Sequence, residues 1–186
     1  MNRSLFYILL YMGMLVVPAY SQQADVFDEG IMISYTKAFA LNESKDYLMA
    51  YREIIQTERA VDRALSLNKV TASNLGDYEF WNIYWPIKKS KAEIAYMLGI
   101  HTDMKAVSAE LREALEGKKW ENDDEETVHG IVNGLRADLA KIDGCSDYLV
   151  EQYDACEASL LRALALSPRY GNDFFVNKVH DDLAQI

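Results

Sequence analysis

YDACEASLLRALALSP, residues 153–168, reads as a helix written with its own stop signal. Tyr153, Cys156, Leu160, Ala163, Leu164 and Leu166 recur at helical spacing, and Pro168 stands where the helix should end. The same ending is present twice upstream. Val61-x-x-Ala64-Leu65, Leu111-x-x-Ala114-Leu115 and Leu160-x-x-Ala163-Leu164 agree in residue type, at a spacing of about 50 residues. Ten residues before each alanine stands an apolar residue (Ile54, Met104, Tyr153), and seven before it a small one (Thr57, Val107, Cys156). The phase therefore extends through a whole helix, and a near-constant period predicts an all-α fold of antiparallel hairpins stacked as a short α-solenoid of about seven helices.

Tyr153, Asp154, Ala163, Leu164, Leu166 and Pro168 give this stretch a further reading. It resembles the second helix of a tetratricopeptide repeat, which opens on Tyr-Asp-x-Ala and closes on Ala-Leu-x-Leu-x-Pro. Cys156 stands where that family has a small residue, and the period here is longer than the family's 34 or so. The resemblance implies paired antiparallel helices and a role in binding a protein or peptide.

At 186 residues, half of them apolar and only three of them proline, the chain can bury a core of ordinary domain size. Its N-terminus has a different character. Arg3 supplies a positive start, 5–17 is an apolar run too short to span a bilayer, and Pro18-Ala19-Tyr20-Ser21 offers the small residues a signal peptidase accepts. Residues 1–21 are expected to be a signal peptide and 22–186 the helical repeat domain, exported to a periplasm or secreted. An uncleaved membrane anchor is the competing reading, and no stable membrane insertion is expected after cleavage. The formal charge is −10 and falls by one more when Arg3 is removed, which argues against nucleic acid and against docking on an anionic membrane.

In chain order, the periodicity predicts hairpins over about 25–67, 77–117 and 122–167 and a capping helix over 172–184. The first helix, 25–41, has Phe27, Ile31, Tyr35 and Phe39 on one stripe. The second, 44–67, takes Ser44 as its cap and groups Leu48, Tyr51, Ile55, Glu58, Val61 and Leu65 on one face. In the second hairpin Pro86 must kink or restart the helix. Ile94, Met97 and Leu98 are expected to face inward, with Lys88, Lys89 and Lys91 exposed. The acidic run 121–126 reads as a first turn favoured by the helix dipole. Asp143-Gly144 is expected to end that helix, and a single helix then runs from Cys145 to Leu166. On one continuous helix Cys145 and Cys156 lie about 16 Å apart, beyond disulfide reach; a break between them would let them meet.

Signals for chemistry are sparse. His101, His129 and His180 stand apart, and Glu126-x-x-His129 has the spacing of a carboxylate-bridged metal pair without a second copy. A Cys145/His129 nucleophile pair carries no sign of activation. No catalytic residue, metal ligand or cofactor is expected, and the chain reads as a non-enzyme. Recognition has better material. Tyr78, Trp81, Tyr84 and Trp85 with Lys88 and Lys89 offer aromatics and cations to a peptide, protein or glycan, provided the rings are not core between hairpins. The function expected is an exported, non-catalytic helical-repeat scaffold. The alternatives are a small exported helical-bundle enzyme or metal-binding protein, and an assembly portion working with a larger repeat protein.

Overall fold

The computed structural model describes residues 26–122 and 124–166. The proposed signal peptide, the capping helix over 172–184 and Pro168 lie outside the described residues. Every regular element among the described residues is helical, as the all-α expectation requires. They are α1 (Glu29–Glu43), α2 (Tyr47–Asn68), a 3-10 turn (Ala72–Asn74), α3 (Asp77–Glu79), a π-helical segment (Phe80–Tyr84), α4 (Trp85–Met97), α5 (His101–Gly117), α6 (Glu125–Leu149) and α7 (Tyr153–Leu166). No helix among the described residues is long and apolar enough to cross a membrane.

Local chemistry sets the boundaries. Asp28 caps α1, its carboxylate accepting from the Ile31 amide at 3.0 Å, so α1 starts four residues later than periodicity suggested. Asp46, not Ser44, caps α2. Ser44 closes α1 instead, its hydroxyl donating to the Leu41 carbonyl. The short carboxylate at Asp46 reaches the free amide of Met49, which satisfies one of the orphan donors of the first turn. Lys69 ends α2 in the left-handed conformation.

Three hairpins result: α1 with α2, α4 with α5, and α6 with α7. The second helix of each of the first two also packs on the first helix of the next, α2 on α4 and α5 on α6. Ile54, Thr57 and Val61 on α2, Met104, Val107, Leu111 and Ala114 on α5, and Cys156, Leu160 and Ala163 on α7 are all buried. These are the phased positions of the sequence pattern. Ala64 is only half-buried and Tyr153 is exposed. Withdrawing a branched aliphatic such as Ile54 from water stabilises the fold by about 1.5–3 kcal/mol.

Two expectations about faces are corrected. Leu48 is 70% exposed, because the buried row of α2 runs through Ala50, Ile54, Thr57 and Val61, about a quarter-turn from the predicted one. Met97 is exposed as well, at the open end of α4.

The third hairpin corrects a boundary. Helix α6 continues through Asp143-Gly144 to Leu149, and the turn falls at 150–152, where Glu151 takes a left-handed φ of 61°. Gly144 is a contact residue and not a stop. A Cβ there would meet the Leu160 side chain at 3.0 Å and the Cys156 carbonyl at 3.3 Å, so its missing side chain lets α7 close against α6. Cys145 and Cys156 consequently belong to different helices, the arrangement in which they could have met, yet both are thiols. Cys145 packs toward the main core and Cys156 into a small cluster with Leu160, Tyr148 and Leu164.

Candidate functional site

The aromatic entrance to the second hairpin is shaped by Pro86. Its ring would clash with a carbonyl one α-turn back and it offers no amide. The chain accommodates this by widening the preceding turn: the Trp85 amide donates to the Phe80 carbonyl, five residues back, and α4 then takes Pro86 in its first turn. The wide turn holds more residues than an α-turn, which displaces Trp81 from Trp85, the first exposed and the second buried, while Phe80 and Tyr84 still stack.

Phe80 is the centre of the packing. Its ring lies 5.9 Å from Tyr84, 5.9 Å from Trp85 and 5.8 Å, edge-on, from Trp120. Lys118 covers this cluster from the far side, 5.2 Å above Trp120 and paired with Asp77 at 2.8 Å. The other oxygen of Asp77 accepts from the amides of Glu121 and Asn122. The start of the second hairpin is thereby tied to the loop that follows it.

The expected recognition residues divide. Tyr78 and Trp81 are exposed, at 53% and 43%. Tyr84 and Trp85 belong to the core. Lys88, expected on the outside, is among the most buried side chains of the molecule, 1% exposed. Its ammonium pairs with Glu58 of α2 at 2.8 Å and Glu110 of α5 at 2.7 Å, with Asp62 at 3.5 Å. Lys91, also expected outside, is largely buried and pairs with the second oxygen of Glu58 at 2.7 Å. Tyr84 donates to Glu110 at 2.9 Å and lies under the Lys88 ammonium. Lys89 is half-buried and pairs with Asp138 of α6 at 2.7 Å, the carboxylate to which the Trp85 indole N–H also donates at 3.2 Å.

Burial on its own would strip the proton from Lys88, but Glu110 and Glu58 outweigh it and hold the ammonium above its ordinary pKa. Burial would likewise raise the Glu58 carboxyl, and the hydrogen bonds from Lys88 and Lys91 outweigh that and lower it. An amine held protonated is not a nucleophile. The cluster acts as an ionic clasp joining α2, α4 and α5.

Glu58, Asp62, Glu110 and Asp138 are not picked out by sequence spacing. One signal was present: Glu58 falls between Ile54 and Val61 at helical spacing, an odd place for a carboxylate without a partner. Elsewhere, His129 and Cys145 lie sixteen residues apart on the single helix α6, about 24 Å, too far for proton transfer. No group of three potential ligands that could hold a metal is present among the described residues. Comparison with protein-family models, with curated proteins and with solved structures returns no match.

Proposed function

We propose that the chain is an exported, non-catalytic helical-repeat scaffold of the tetratricopeptide kind, its hairpins stacked as a short solenoid, that binds a protein or peptide through the entrance of its second hairpin. A glycan is the second ligand class that exposed aromatics suit. The observation that carries the reading is the order of packing: α1–α2, α2–α4, α4–α5, α5–α6 and α6–α7 each form an interface, with the phased residues of α2, α5 and α7 buried. A stack of this kind leaves one helix row free for a ligand. Tyr78 and Trp81, with the half-buried Lys89, are the residues proposed to meet the partner. Tyr84, Trp85 and Lys88 support them from the core.

Capture experiments test this. The chain from Gln22 onward, immobilised and exposed to its native envelope fraction, should retain a partner that the Tyr78→Ala/Trp81→Ala variant does not, while both unfold at the same temperature. Equal capture by the two would remove the second hairpin from the recognition surface.

A further inference from the structure

A second surface is built on the opposite partner of the first hairpin. Arg52, Gln56, Arg59 and Arg63 recur at i, i+4, i+7 and i+11, so they form one row along the outside of α2, and all four are exposed. Leu48 and Leu67, 70% and 75% exposed, stand at the two ends of this row. From Leu48 to Leu67 the helix covers about 28 Å. Beside the row runs a shallow groove of about 250 Å³ lined by Tyr51, Arg52, Ile55, Gln56 and Arg59. Its floor is aliphatic and aromatic, and Tyr51 is held in place by donating its hydroxyl to Asp103 of α5.

Charge makes this row unusual. The chain carries 29 acidic and 19 basic residues, and the buried or half-buried lysines 88, 89, 91 and 118 are all paired with carboxylates. None of the three arginines has a carboxylate within ion-pair distance among the described residues, although Asp62 and Glu58 lie on the same helix. Glu58 is committed to Lys88 and Lys91, and Asp62 leans toward Lys88. Arg52 donates to the sulfur of Met49 at 3.9 Å. Three unpaired guanidinium forks in line, with apolar groove beside them and apolar ends, match carboxylates spaced along an amphipathic segment.

We infer that the outer face of α2 is a docking surface for an acidic amphipathic protein segment, whose carboxylates pair with Arg52, Arg59 and Arg63 while its aliphatic side chains fill the groove over Tyr51 and Ile55. This surface is on the second helix of its hairpin and does not depend on the recognition role proposed for Tyr78 and Trp81.

Fluorescence anisotropy tests it with the chain from Gln22 onward and a labelled helical peptide of about 18 residues, long enough to run beside α2, built from Glu and Leu with glutamates at the spacing of the arginines. A peptide with Lys in place of Glu is the control. The expected result is saturable binding of the acidic peptide only, weakened as salt rises from about 50 to about 200 mM. Binding should fall at least about tenfold in Arg52→Glu/Arg63→Glu, the loss expected of two charge-assisted contacts. Circular dichroism melting confirms that the variant is folded, and Arg52→Gln/Arg63→Gln, which adds no repulsion, should lose part of the affinity. Tyr78→Ala/Trp81→Ala should bind the peptide as the parent does. The inference is overturned if neither peptide saturates, if the two bind alike, if the arginine variants bind as the parent does, or if vesicles containing phosphatidylserine engage the arginines while the acidic peptide does not.

Discussion

The second and third hairpins have the same outline and differ in what is added to their apolar packing. Around α4 the addition is ionic: one buried ammonium gathers carboxylates from α2 and α5, and a second lysine reaches across to α6. Between α6 and α7 the junction is close and apolar, Gly144 against Leu160 with Cys156, Tyr148 and Leu164 around them. Packing of the second sort joins residues close in the chain, Gly144 of α6 with Cys156 and Leu160 of α7. The ionic sort depends on partners from segments far apart in the chain. A helical pair can thus be recognised from its own residues, whereas what fastens it to its neighbours need not be.

Removing the clasp should have the largest effect. Lys88→Met leaves Glu58 and Glu110 facing each other, and the cost expected is about 3 kcal/mol, the low end for a broken buried pair because Glu110 and Asp62 are partly open to water. Adding Glu58→Leu and Glu110→Met should recover part of that loss, since the desolvation penalty of both carboxylates goes with the attraction, while Lys91 and the Tyr84 hydroxyl lose their acceptors. Urea unfolding of the single and triple variants measures both. A Lys88→Met protein as stable as its parent would show that the cluster contributes little.

In the third hairpin the change is smaller and of another kind. Gly144→Ala gains helix propensity, yet its Cβ would be forced against Leu160, for a net loss of about 1 kcal/mol. Leu160→Ala makes room, so the double variant should lose less than the two single losses added together. Strict additivity in thermal unfolding would mean that α6 and α7 are not in the close contact described.

The smallest effect is the response to acid. Glu58 is held below its ordinary pKa of 4.5 in the fold, so its contribution is present above that value and is lost as pH falls through the folded one. Asp62, whose carboxyl partial burial raises, works in the other direction and reduces the change. Lys88, raised in the fold, contributes fully below its ordinary 10.5 and loses its contribution only at more alkaline pH. Melting temperature should therefore drop below about pH 4.5, and in Lys88→Met this drop should vanish or reverse, because protonation then relieves crowded carboxylates.

Much of the architecture was legible. The phased positions Ile54, Met104, Leu111 and Leu160 are core residues, and Pro86 did mark a disturbed helix. Of the recognition residues, Tyr78 and Trp81 are exposed, whereas Tyr84, Trp85 and Lys88 are buried. Trp81 and Trp85 are four residues apart, yet across the π-turn before Pro86 the first is exposed and the second buried. Gly144 was misread for a related reason: glycine ends helices and also admits close neighbours, and only the neighbour tells which.

By itself the sequence determined the all-helical class and the approximate spans of most helices, because these follow from 3.6-residue spacing, which is local along the chain. Tertiary structure alone decided which charges are buried and which remain free. The reach of Glu58 and Glu110 to Lys88, which leaves Arg52, Arg59 and Arg63 without an ion pair among the described residues, depends on distances between segments that spacing along one helix does not encode.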